Sequence, residues 1–191
     1  MSYKQDNLSP QQKKNAYIGI SILSLLILSF FIYSFFLKNE RKVFLSKNTA
    51  ITTCKIIRTN THKATTNTVE YKVSNKRYTY EGLSSSFFQL GEFFNLKYSI
   101  SNPSISKVIY TEPIIKEYNN YEEKDGKILS IYSNEKVNVI KFQYDYNGKI
   151  YKRGLHIKDI SLFKENQKYK ILIKKNNPKI SYLKSIIKVS Y

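Results

Sequence analysis

Six glycines, four prolines, one cysteine, one methionine and no tryptophan in 191 residues leave several protein classes without material. The lone thiol, Cys54, can form no disulfide within the chain and cannot build a cysteine-clustered metal site. So little glycine and proline excludes a collagen-like or Pro/Gly-rich disordered chain. No glycine-rich phosphate loop, His-Glu-x-x-His or Cys-x-x-Cys pattern occurs, and the sequence calls for no cofactor. Acid is also short: 14 Asp and Glu stand against 32 Lys and Arg, a formal charge of +18. That excess favours an anionic partner, whether phospholipid, nucleic acid or an acidic protein. Aromatic residues, by contrast, abound, with 17 Tyr and 11 Phe in a chain that is 41% hydrophobic. Such residues fit pleated, half-buried surfaces, so the composition predicts a mainly β protein with a packed core.

Residues 16–37, AYIGISILSLLILSFFIYSFFL, carry no charge. At about 1.5 Å per residue they match the roughly 30 Å hydrocarbon layer of a bilayer, which predicts a transmembrane helix preceded by a tail over residues 1–15. Ser9 is placed as N-cap, Pro10 as the first helical residue and Gln12 as the partner of a capping box. No small-x-small cleavage signal follows before Lys38, so the span reads as an uncleaved single-pass anchor. Lys4, Lys13 and Lys14 on one side nearly balance Lys38, Arg41, Lys42 and Lys47 on the other. The charges alone slightly favour a cytoplasmic C-terminus.

The remainder repeats itself. Asn102-Pro-Ser-Ile-Ser106 returns as Asn177-Pro-Lys-Ile-Ser181. Ahead of each, VEYKVSNKRYTYEG (69–82) and FQYDYNGKIYKRGL (142–155) alternate apolar and polar residues around a two-residue turn, Ser74-Asn75 or Asn147-Gly148. A type I′ hairpin in each sets Tyr71 opposite Tyr78 and Tyr144 opposite Tyr151. A loop and another alternating strand follow, FFNLKYSI or KYKILIKK, and Asn-Pro then turns the chain into a last strand. The spacing is 73 at the tyrosines (144 − 71) and 75 at Asn-Pro (177 − 102), so the second loop holds two extra residues. CKIIRT and KILSIY supply first strands. The prediction is two tandem five-stranded antiparallel units, residues 51–110 and 126–184, joined by an acidic linker, 111–125, and packed together because each unit alone is marginally stable.

These motifs, following a transmembrane helix, resemble a widespread bacterial family of unknown function, number 3592 in the domain-of-unknown-function series. Tyr71, Val73, Tyr78, Gly91-Glu92, Tyr98 and Asn102-Pro103 match its pattern in the first copy, and Tyr144, Gly148, Tyr151 and Asn177-Pro178 in the second. The second copy departs from it at Asn166-Gln167, where Gly-Glu is the family's choice, and both copies lack the acid and proline usual before Asn-Pro. The resemblance implies a small membrane-tethered β domain of the bacterial cytoplasmic membrane, lying outside the cytoplasm, and no activity.

Catalytic material is thin. His62 and His156 read as surface residues, Cys54 as a small core residue, Ser84-Ser85-Ser86 as a loop, and Asp145 as a solvent-facing residue beside a turn. The chain therefore reads as no enzyme but a binding or scaffolding module for another membrane or envelope protein. The alternatives are an immunity-type protein that neutralises a toxin, or an accessory subunit of a membrane complex. Residues 125–191 hold 15 Lys and Arg against 5 acids, and alternation along KYKILIKK places Lys168, Lys170 and Lys174 on one outward face. That face is either a lysine-guarded sheet edge or an anion-binding surface for lipid. Nucleic acid is disfavoured, since no reader motif accompanies the charge.

Overall fold

The computed structural model describes residues 9–187 apart from 136, with the side chains of residues 38 and 40 excluded. Residues 1–8 of the N-terminal tail lie outside it. Helix α1 runs Pro10–Ser46, and Ser9 closes the capping box with Gln12 in both directions. It is the one described helix long and apolar enough to span a membrane. It also outlasts the apolar run: residues 38–46 continue as helix and dock on the first sheet. There Arg41 donates from Nη2 to Ser106 O at 2.6 Å, and its guanidinium lies 4.8 Å from the centre of the Tyr80 ring. Asn48 then takes a positive φ of 41° and the chain turns directly into the first strand.

Ten strands follow in two sheets. The first holds β1 (Thr49–Asn60), β2 (Thr66–Val73), β3 (Lys76–Leu83), β4 (Phe93–Ser99) and β5 (Ser106–Ile114), in the order β3-β2-β1-β4-β5. The second holds β6 (Tyr121–Ser133), β7 (Asn138–Tyr146), β8 (Lys149–Ile157), β9 (Lys168–Lys174) and β10 (Ser181–Leu183), in the matching order β8-β7-β6-β9-β10. Every pairing is antiparallel. Three meandering strands with a fourth returning beside the first make a Greek key, the plan of small five-stranded barrels. The long first strand makes it possible: β1 pairs with β4 over residues 49–55 and with β2 over 54–60, bulging between Ile56 and Arg58.

The repeat is legible atom by atom. Both hairpins turn on two residues with positive φ, Ser74 and Asn75 at 46° and 63°, Asn147 and Gly148 at 54° and 73°. Tyr71 faces Tyr78 and Tyr144 faces Tyr151, each pair stacked at 5.7 Å between ring centres. Asn-Pro acts as a lid on each unit. Tyr71 Oη donates to Pro103 O at 2.7 Å, and Tyr144 Oη donates to Pro178 O. Ile105 N donates to Asn102 O and Ile180 N to Asn177 O, both at 2.9 Å. From the start of the third strand to the start of the fourth is 17 residues in one unit (93 − 76) and 19 in the other (168 − 149), the two-residue insertion.

Two expectations change. The acidic stretch 111–125 is mostly strand: Thr111–Ile114 complete β5 and Tyr121–Asp125 open β6, leaving 115–120 with one 3-10 turn between the sheets. The three acids that open β6 have lysine partners, Glu122 with Lys124, Glu123 with Lys184 and Asp125 with Lys170. Nor is β9 an edge, because β10 covers its centre.

Each sheet has its own core, Ile56, Tyr71, Phe94 and Leu96 in one, Phe142, Tyr144, Ile171 and Ile173 in the other. Gly126 sits where the second unit packs most closely. A Cβ there would meet Ile171 Cγ1 at 2.5 Å and the backbone oxygen of Gln143 at 2.9 Å, whereas the first unit accommodates Cys54 at the corresponding place opposite Tyr71. Gly126→Ala is expected to destabilise the protein by about 1–3 kcal/mol through overpacking. Thermal unfolding in detergent checks this, and an unshifted midpoint contradicts it.

Candidate functional site

The two sheets meet along β5 of the first and β8 of the second. The loop between β3 and β4, residues 84–92, reaches across from the first unit. At its end, Glu92 is buried. Its carboxylate accepts from Gln89 N within the loop, and Oε1 accepts from two residues of the second unit, Arg153 Nη2 and Tyr182 Oη, the latter at 2.7 Å. Arg153 also donates from Nη1 to Lys179 O at 2.6 Å, and its guanidinium lies 5.3 Å from the centre of the Tyr182 ring. The Arg153 and Glu92 side chains are only 3% and 0% exposed. Burial, and then the nearby Glu92 charge, push the Tyr182 phenol well above its usual range, so it remains a donor.

Aromatic packing also joins the two units. Phe88 stacks on Tyr110 at 4.2 Å, and the edge of His156 meets Phe88 at 5.0 Å. His156 is thus a junction residue and not the surface histidine its polar neighbours suggest; burial holds its pKa below the ordinary value, and the ring is neutral at pH 7. Phe87 lies over Gly154, where a Cβ would come within 2.7 Å of the ring. Only glycine admits that approach.

Two openings flank this contact. A cleft of about 390 Å³ is walled by Pro113, Ile114, Phe163 and Ile186, with Leu162 at its lip. A groove of about 500 Å³ carries Lys97 and Lys107 from the first unit and Lys158, His156, Asn138 and Glu135 from the second. Thr111, Ile157 and Lys158 belong to both. Preformed concavities at a domain junction are where ligand sites concentrate.

The lysines singled out on β9 are dispersed. Lys168 and Lys170 are exposed and Lys174 is half-buried, with the buried Leu172 interrupting their row. Lys170 forms an ion pair with Asp125 at 3.0 Å, while Lys168 stands opposite Lys127 of β6. Cys54 lies in the core, where burial pushes its thiol up to about 12, far from a reactive thiolate. Asp145 Oδ1 accepts from Gly148 N at 3.0 Å and closes its turn. Among the described residues no group of three His, Cys, Asp or Glu could hold a metal ion.

No protein-family model, curated protein or solved structure matches this chain. The site therefore rests on its own geometry. Sequence reasoning marked Glu92 only as half of a Gly-Glu motif and passed over Arg153. A signal was present: Arg153 stands two residues after Tyr151, hence on the same inward face, and an inward arginine requires an acid or carbonyl partner.

Proposed function

We propose that the protein is a non-catalytic, membrane-anchored binding module that presents the junction of its two β units to another protein of the membrane or envelope. The observation that carries this reading is the buried Glu92–Arg153 pair. It fixes the two units against each other, so that the walls of the cleft stand ready without a partner. Arg41 adds a second fixed joint, between the anchor and the first unit. Such a chain holds a recognition surface at a set height and angle relative to the bilayer, which is what a scaffold or receptor-like module needs. The resemblance to family 3592 favours a bacterial cytoplasmic membrane with both units outside the cytoplasm.

The test is site-specific photocrosslinking of the intact protein in its native membrane. A crosslinker at Leu162, 71% exposed at the lip of the cleft, should give one discrete adduct. The same group at Ile150, 63% exposed on the outer face of β8, should give none. Equal patterns from both positions, or no adduct from Leu162, would refute the reading. A C-terminal alkaline phosphatase fusion should be active and a green fluorescent protein fusion dark, and the reverse pair of results places the β units inside.

A further inference from the structure

We propose that Lys97, Lys107 and Lys158 form a binding site for a phosphate-type oxyanion in the groove beside the junction. Lys97 of β4 stands directly opposite Lys107 of β5, so their side chains leave the same face. Like charges in that relation, with Cβ atoms about 5 Å apart, repel and destabilise a sheet. Neither has an ion-pair partner among the described residues, and Lys97 is half-buried. Lys158, also without an ion-pair partner among the described residues, adds a third ammonium from the facing unit, and Glu135 is the one acid among the described lining residues.

The duplicated unit serves as an internal control. With the offset of 75 that relates the two Asn-Pro turns, Lys97 corresponds to Leu172 and Lys107 to Tyr182, which are likewise direct partners. In the second unit both are buried. The fold accepts apolar and aromatic residues at this pair of positions, so lysine is not required at either; like-charged partners recur at Lys127 and Lys168, but those two lie outside this groove. An oxyanion bridging them would turn the repulsion into charge-assisted hydrogen bonds, with the neutral His156 and the Asn138 amide as further polar lining. The shared chemistry is a phosphate group, carried by a lipid head group or by a soluble molecule.

Isothermal titration of the intact protein in neutral detergent, at low ionic strength, tests this with inorganic pyrophosphate and dioctanoyl phosphatidic acid, against zwitterionic dioctanoyl phosphatidylcholine. Saturable binding of both anions supports an oxyanion site open to soluble ligands; binding of phosphatidic acid alone supports a lipid head group site. Lys97→Leu with Lys107→Tyr, the residues of the second unit, should weaken binding roughly tenfold or more, two charge-assisted contacts being lost, while the unliganded melting temperature stays level or rises. Lys97→Gln with Lys107→Gln gives the same loss without a change of shape. Lys168→Gln with Lys170→Gln removes equal charge elsewhere and should leave binding intact. No saturable binding of either anion, or an equal loss in the β9 variant, overturns the site. Purified protein alone suffices, so the outcome is independent of whether a protein partner occupies the neighbouring cleft.

Discussion

Arg153→Ala is expected to cost about 3–5 kcal/mol, among the largest effects available to a single substitution here, because it strands the Glu92 carboxylate in an interior with 0% exposure. Tyr182 Oη and Gln89 N would remain as its partners, too little to replace a guanidinium. The cost should fall on the junction first. Chemical unfolding should broaden or split, and limited proteolysis should open the segment 115–120 between the sheets. Glu92→Gln with Arg153→Met removes both charges together and should recover most of the loss, since a buried pair returns little net stability relative to a well-packed apolar replacement. Strictly additive single and double variants, or a cost below about 1 kcal/mol for Arg153→Ala, would mean that the pair does not hold the units together.

Tyr144→Ala should cost about 2–4 kcal/mol, combining a cavity in the second core with loss of the stacked Tyr151. Burial raises the phenol's pKa, so the hydroxyl stays protonated at neutral pH and donates to Pro178 O. Tyr144→Phe keeps the ring and deletes only that bond, for about 0.5–1.5 kcal/mol. It should also speed hydrogen exchange at Ile180, whose amide is tied to Asn177 O in the turn that Tyr144 holds down. The first unit offers the parallel test at Tyr71, bound to Pro103 O and Ser106 Oγ. Full-stability Tyr144→Ala protein would refute the equivalence of the two tyrosines.

Those tyrosines were the most legible part of the chain. Alternation around a two-residue turn is local information, and it is enough to define the hairpins, their register and the place of Asn-Pro. The N-terminal helix was equally plain, since the charge-free run of residues 16–37 is long and apolar enough to span a membrane. What stayed hidden depends on contacts far apart in sequence. Glu92 and Arg153 are 61 residues apart, and Glu92 and Tyr182 are 90. Each of the three looks like an ordinary loop or strand residue until the sheets are placed side by side. The acidic segment is ambiguous for a related reason: Glu122, Glu123 and Asp125 suit a solvated linker as well as a strand, and two of their three lysine partners, Lys184 and Lys170, lie far along the chain. The lysines of β9 drew notice because they alternate within one segment, whereas Lys97 and Lys107 face each other across two strands.

The sheets join tail to head, β5 of one copy against β8, the counterpart of β3, of the next, so the copies are related as links in a chain and not as mirror partners about a two-fold axis. Such a joint could in principle be repeated without end, and the two outward surfaces of the pair differ from the joint itself. With the 73-residue offset of the hairpins, Tyr80 is the first unit's counterpart of Arg153. The surface around it, which corresponds to the joint, is taken by Arg41 of α1. In the second unit the counterpart of Glu92 is Gln167, whose side-chain oxygen accepts from Tyr169 and which carries no charge. Helix α1 thus covers the face of the first unit that corresponds to the joint, and a neutral amide stands in the second unit where the joint's acid stands in the first.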